Sequence, residues 1–307
     1  TLAWSDLAAW GGYATAPVLM SGVHNGTTEA TNGAWAALAV WAVMRVARDG
    51  GVRRALVAGL ALFGAALASW YGGVVAFLFA VSFLLFGAGE GTWRRTLPWR
   101  ALALAMGVAL VAPWGLIVKA AATGPDSVVG IKNPRELAGV RRTTGAADPR
   151  GWLAGGDFRS PDFRTMSRYG ENFIHCHYLG WVLLILAGVG LWRRPQAGAA
   201  AGVAGLTGVA LAMGPVLVSD GSPLIVMGDR AIPLPYILVE GLPGFDSLSL
   251  LWRLGQAPAL ALAVLAAAGV AAGRRAWLPV VAVLAVLAEG RWVSPVAWPG
   301  VASAIID

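Results

Sequence analysis

Long apolar runs recur along almost the whole chain, and they limit its fold more than any other feature of the sequence. A helix that crosses a bilayer needs about 20 mostly apolar residues, with a range of about 17 to 25. Nine runs approach that length, and several are short by this rule: 7–22, 33–47, 55–70, 72–88, 101–121, 177–192, 197–218, 254–273 and 277–289. Hydrophobic residues make up 57% of the 307 positions and charged residues only 13%, whereas about a quarter is usual in soluble domains. The sequence therefore predicts an all-α, polytopic transmembrane helix bundle of about eight to nine spans, forming one domain over residues 1–307.

The arginines predict an orientation for this bundle. If the nine spans alternate, four basic connections fall on one side, and they contain Arg45, Arg48, Arg53, Arg54, Arg94, Arg95, Arg100, Arg193, Arg194, Arg274 and Arg275. The first connection on the other side, residues 23–32, has no Lys or Arg. Cytoplasmic connections of membrane proteins are enriched in Lys and Arg, so the arginine-rich side is predicted to be cytoplasmic. The net charge of +7 is thus interpreted as a topology signal, and no nucleic-acid partner is expected.

Two connections are too long to be simple turns. Residues 122–176 are predicted to form an extracytoplasmic loop of short amphipathic helices lying on the membrane, with Trp152 among its interfacial anchors. Residues 219–252 are rich in Pro and Gly but apolar between them. Because proline interrupts a helix, this second segment is predicted to be a re-entrant or capping loop on the outer face.

Polar residues converge on the predicted outer side. His24, Asn25 and Glu29 lie between the first two spans, where a carboxylate or imidazole could deprotonate an attacking hydroxyl. The alternative is a capped helix start, with Thr27 or Thr28 as N-cap and Glu29 stabilised by the helix dipole. Both interpretations fit the spacing.

His175 and His177 are weak candidates for metal ligands. Side chains two residues apart on a helix point away from each other, so joint ligation would require an extended backbone. The alternative is a pair of interfacial polar side chains at a helix start. A divalent metal stays an option, but the sequence requires no cofactor.

Arg253 follows Leu251-Trp252 at the outer end of a span. An arginine there can grip a phosphate through paired hydrogen bonds, or it can extend to lipid headgroups. Trp70 and Tyr71 stand at another outer turn, where they fit either a substrate surface or the aromatic belt of a membrane protein. Glu289 closes the last span and is interpreted as an interfacial helix end.

Three stretches carry a resemblance that covers most of the chain. They are VHN at 23–25 with ASWYG at 68–72, YLGW at 178–181 with GLWRR at 190–194, and LAMGP at 211–215 with PLPY at 233–236, LPGF at 242–245 and WR at 252–253. These stretches resemble polytopic bacterial membrane proteins of the GT-C glycosyltransferase superfamily, which includes many uncharacterised members. The resemblance implies a multi-pass protein of the bacterial cytoplasmic membrane, with membrane lipid around it. Its expected donor is a polyprenyl-phosphate-linked sugar, and the expected reaction takes place on the extracytoplasmic face.

We hypothesise the following roles for individual residues in such a reaction. Glu29 or His24 would be the base, Asn25, Trp70 and Tyr71 would contact substrate, and Arg253 would contact the donor phosphate. Members of the superfamily often carry an Asp-x-Asp pattern in the first outer loop, and none occurs before residue 23. Because the chain starts at Thr1 rather than Met and ends at Asp307 just after a Trp/Pro stretch, it is expected to be a fragment, in which case this loop would be missing from it. One alternative is a non-catalytic membrane scaffold of the same fold. Another is a transporter or flippase, which is disfavoured because the predicted spans contain almost no charged residues near their centres.

Overall fold

Helices account for most of the computed structural model, in agreement with the predicted all-α class. The structure describes residues 13–14, 19, 33–87, 93–123, 134–143, 145–153, 178–193, 195–219, 222–226, 230–242, 244–271 and 277–293. Most of the first candidate span, 7–22, lies outside these ranges.

The helices and strands follow in a simple order along the described residues. The α-helices are α1 Gly33–Asp49, α2 Val52–Ala68, α3 Trp70–Phe86, α4 Trp93–Thr123, α5 Pro134–Arg141, α6 Trp181–Arg193, α7 Pro195–Ala212, α8 Gln256–Ala271 and α9 Leu278–Val293. Short 3-10 helices occupy Pro149–Trp152, Pro235–Leu238 and Leu251–Gly255. Strands β1 Val218–Ser219 and β2 Ser222–Pro223 form one antiparallel pair, and β3 Ile225–Val226 and β4 Arg230–Ala231 form another.

The two apolar runs on either side of Trp70 form separate helices. Ser69 has an extended backbone between α2 and α3, and its side chain accepts a hydrogen bond from the Gly72 N–H. A serine in this position caps the free N–H groups of a starting helix. This cap ends one helix and starts the next.

Small residues let the helices approach closely. A Cβ at Gly59 on α2 would lie 2.8 Å from the Cβ and Cγ of Met106 on α4. Helices α6 and α8 meet backbone to backbone, because a Cβ at Gly190 would collide with the Leu265 carbonyl. Such small-residue contacts are the usual way in which helices pack in lipid.

The helix surfaces that face outward are strongly apolar. Leu206, Leu116 and Ile185 lie on three different helices and are 72%, 70% and 65% exposed. Two segments, Arg94–Ile117 and Leu251–Ala271, are long and apolar enough to cross a membrane. Helices α1, α2 and α3 have 17 residues each, which is about 26 Å at 1.5 Å per residue. Association with a membrane is therefore supported, whereas eight to nine spans stays a prediction.

The predicted loop at 122–176 contributes two short helices to the described structure, α5 and the 3-10 helix Pro149–Trp152. Trp152 is only 6% exposed and belongs to the main hydrophobic core. The expectation that Trp152 anchors the loop to the membrane interface is therefore wrong. Its ring packs inward, and the Trp152 carbonyl accepts a hydrogen bond from the Leu179 N–H.

Glu289 on α9 closes the start of α6. Its carboxylate accepts hydrogen bonds from the Tyr178 hydroxyl at 2.7 Å, the Trp181 N–H at 2.7 Å and the Val182 N–H at 3.0 Å. The first N–H groups of a helix lack partners within the helix, and a negative charge is favoured there by the helix dipole. Glu289 is thus a cap supplied by a neighbouring helix, in keeping with its interpretation as a helix end.

We expect Glu289→Gln to destabilise the protein by about 1–3 kcal/mol, because the amide loses the charge and turns an N–H toward N–H donors. Tyr178→Phe removes only one of the three donors and should cost less. Thermal unfolding in detergent, followed by circular dichroism, compares the two. A Tyr178→Phe loss as large as that of Glu289→Gln would contradict the capping role.

Two glycines on α6 provide a matched test of helix packing. Gly190→Ala should destabilise the protein by about 1–3 kcal/mol, because the added methyl group meets backbone that cannot move aside. Gly188 is exposed with nothing within 4 Å of its Cβ position, so Gly188→Ala should be neutral or stabilise by about 0.5–1 kcal/mol. The same unfolding measurement checks both, and equal effects would contradict the α6–α8 contact.

Candidate functional site

The segment between α7 and α8 lies over one end of the bundle. It contains the two short hairpins, two 3-10 helices and several turns, and the described part of 219–252 has no α-helix. Gly214, with a φ of 78°, starts the segment, and Gly244, with a φ of 90°, lies in a turn near its end. Both angles fall in the left-handed region that favours glycine.

Trp70 and Tyr71 at the start of α3 fix this segment to the bundle. The Trp70 Nε1–H donates to the Gly244 carbonyl at 2.7 Å, across 174 residues of sequence. The Tyr71 hydroxyl oxygen accepts from the Ser249 N–H at 3.2 Å and the Leu250 N–H at 2.9 Å. Tyr71 is 8% exposed, so these main-chain groups are satisfied where water is scarce.

Arg141 and Arg142 hold the same segment from the side of α5. The buried Arg141 guanidinium donates to the carbonyls of Asp246 at 2.6 Å and Leu248 at 3.2 Å. Its Nε also lies 3.3 Å from a Glu240 carboxylate oxygen, without hydrogen-bond geometry. Arg142 forms a bidentate salt bridge with Glu240, in which both N–O distances are 3.0 Å. Glu240 is therefore shared between two arginines.

Tyr236 fills the interior of the segment. Its side chain is fully buried, and its hydroxyl donates to the Phe245 carbonyl at 2.7 Å. Burial raises the pKa of the Tyr236 hydroxyl above its ordinary value, so the group stays protonated and remains a donor at neutral pH. Its ring also meets the Phe245 ring edge-on at 6.3 Å, an arrangement favoured for aromatic pairs.

Arg253 lies where the segment joins α8. Its guanidinium carbon is 5.4 Å from the centre of the Tyr71 ring and 5.6 Å from the Trp252 ring. Cation–π contacts of this length orient an arginine without using all of its N–H donors. The side chain is half-buried, so its position is fixed by the protein while part of it reaches the surface.

The structure brings together three of the residues predicted from sequence. Trp70, Tyr71 and Arg253 lie at one end of the bundle, although the polar atoms of Trp70 and Tyr71 bind main chain of the segment. The other predicted site residues, His24, Asn25, Glu29, His175 and His177, lie outside the described residues. Within the described ranges, no group of three or more His, Cys, Asp or Glu side chains is arranged to hold a metal.

Sequence reasoning missed Arg141, Arg142 and Glu240. The two arginines are adjacent in a loop predicted to be outside, and Glu240 is an acid within an apolar segment. Each was unusual for its context, but their pairing spans 98 residues and could not be inferred from spacing. Comparison with protein-family models, curated proteins and solved structures finds no match for this chain.

The neighbouring arginines allow a matched test. Arg141→Gln leaves two buried carbonyls without their donor and weakens the hold on Glu240, so we expect a loss of about 3–5 kcal/mol. Arg142→Gln removes the same charge from a side chain that is 38% exposed, and about 1 kcal/mol or less should be lost. Chemical unfolding in detergent measures both. An equal loss would show that Arg141 does not hold the segment.

Proposed function

We propose that this chain crosses the bacterial cytoplasmic membrane several times and acts as a glycosyltransferase of GT-C type. It would transfer a sugar from a polyprenyl-phosphate-linked donor to a cell-envelope acceptor. The site would lie at the end of the bundle covered by the segment between α7 and α8, facing away from the cytoplasm.

The distribution of charge between the two ends supports this membrane placement. The Thr96 hydroxyl on α4 donates to the Ala47 carbonyl on α1, and the Arg100 guanidinium donates to the Phe83 carbonyl at the end of α3. The arginine-rich connections at 45–54 and 94–100 thus share one end. Trp70 and Gly244 meet at the other. Exposed apolar side chains cover the helices between these ends, as expected where lipid is the solvent.

The observation that carries the proposal is the fixed position of Arg253 against Tyr71 and Trp252. In the proposed reaction, Glu29 or His24 removes a proton from the acceptor hydroxyl. The acceptor oxygen bonds to the anomeric carbon as the bond from that carbon to the phosphate oxygen breaks. The lipid phosphate leaves with the bonding electrons, and Arg253 would stabilise its added negative charge.

The first test is sugar transfer from polyprenyl-phosphate donors by the full-length protein in liposomes. We expect Arg253→Gln to lower turnover about 100-fold, because a positive group at the leaving phosphate is lost. Glu29→Gln or His24→Ala should lower it at least as much if that residue is the base. Arg230→Gln is the matched control: it removes one exposed charge from the same segment and should leave turnover unchanged.

A second candidate, a non-catalytic membrane scaffold, is favoured by a separate observation. The Trp70 and Tyr71 polar atoms bond main chain of the segment, the Asp246 carboxylate accepts from the Gly244 N–H within it, and the Glu240 carboxylate accepts from Arg142. Absence of turnover with every donor tested, in wild-type protein that is folded, would support the scaffold. Equal turnover in the wild type and Arg253→Gln would remove Arg253 from the proposed mechanism.

A further inference from the structure

The end of the bundle opposite the candidate site contains a basic cleft. Its volume is about 450 Å³, and it is lined by Arg48, Asp49, Arg54, Arg95 and Thr96. Three arginines against one aspartate give the lining a net charge of +2. Among the described residues, Asp49 is the single acid that lines the cleft. The lining comes from the end of α1 and the first turns of α2 and α4, so three helices build it.

Asp49 organises the arginines around it. The Arg48 Nε lies 2.9 Å from one Asp49 carboxylate oxygen, and the other oxygen lies 3.5 Å from the Arg45 Nε and 3.7 Å from the Arg54 Nε. The hydrogen bond from Arg48 and the surrounding positive charge hold the pKa of Asp49 below its ordinary value. Asp49 therefore stays ionised at neutral pH, and one carboxylate faces several guanidinium groups with an excess of positive charge.

The backbone fixes the shape of the cleft. The turn between α1 and α2 uses Gly50 and Gly51, with φ angles of 66° and 100°, and the Arg54 side chain donates to the Gly50 carbonyl at 3.1 Å. The Thr96 hydroxyl bonds the Ala47 carbonyl and fixes α4 to the end of α1. Arginines placed on fixed helix ends can bind an anion without first being ordered.

Trp41 indicates the depth of this cleft relative to a bilayer. It lies one helical turn before Arg45 on α1, it is 48% exposed, and the Arg45 guanidinium lies 5.7 Å from its ring. Exposed tryptophans of membrane proteins collect at the level of lipid headgroups. The arginines just beyond Trp41 would therefore meet the phosphates of the same lipid layer.

We propose that this cleft binds the headgroup phosphate of an anionic phospholipid. The guanidinium groups of Arg48, Arg54 and Arg95 supply planar N–H donors that match phosphate oxygens. The net positive charge favours an anionic lipid over a zwitterionic one, because the positively charged ammonium group of the zwitterionic headgroup would be repelled. This inference depends on the proposed membrane placement but not on the proposed sugar transfer, and its test measures binding alone.

The experiment counts lipids bound to the full-length protein by native mass spectrometry during titration with phosphatidylglycerol or phosphatidylcholine. The wild type should prefer phosphatidylglycerol. Arg54→Gln/Arg95→Gln should weaken that binding about 25-fold, at about fivefold for each arginine. Arg193→Gln, the control for Arg95→Gln, removes one charge from the end of α6 and should have little effect. Arg95 is exposed, so Arg95→Gln alone, with an expected fivefold loss, keeps the test valid if the double variant does not fold.

Three results would overturn the proposal. The first is equal binding of the two lipids by the wild type. The second is an equal loss in Arg95→Gln and in Arg193→Gln, which would indicate general attraction between charges. The third is displacement of phosphatidylglycerol by millimolar inorganic phosphate with the same dependence on Arg54 and Arg95, which would identify free phosphate as the ligand.

Discussion

The candidate site depends on hydrogen bonds to the main chain of the segment between α7 and α8, which does not form an α-helix. An unpaired N–H or carbonyl costs free energy wherever water is excluded, and several kcal/mol within a bilayer. The Tyr71 hydroxyl oxygen accepts hydrogen bonds from two N–H groups of this segment. Trp70 donates a hydrogen bond to one of its carbonyls, and Arg141 donates to two more. These contacts connect α3 and α5 to the segment. They thereby fix the position of Arg253, which lies in the 3-10 helix just before α8.

Charged side chains serve main-chain groups elsewhere in the protein as well. Glu289 accepts two N–H groups at the start of α6, and Arg100 donates to the carbonyls of Phe83 and Leu84 at the end of α3. A negative charge at a helix start and a positive charge at a helix end both agree with the helix dipole. At these two helix ends, a charged side chain is therefore first a partner of the backbone.

Three residues at the candidate site were singled out from the sequence, each from a local signal. Trp70, Tyr71 and Arg253 stand at the ends of apolar runs, and that position alone placed them on one side. The sequence did not indicate that the polar atoms of Trp70 and Tyr71 would bind Gly244, Ser249 and Leu250, since those partners lie 174 to 179 residues away. Trp152 illustrates the opposite error: a tryptophan in a polar loop suggested the interface, yet its ring lies in the core.

By itself the sequence determined the helical class and the apolar character of the helices, because both depend on composition and on the spacing of neighbouring residues. Only the tertiary structure decided which glycines contact the backbone of a neighbouring helix, which carboxylate caps the start of α6 and which arginines share Glu240. Those outcomes depend on how helices distant in sequence pair and cross, and many Gly and Ala positions fit such a contact equally well before packing selects a few. Gly188 and Gly190 show the limit clearly, because they lie two residues apart on α6 and only the second meets α8.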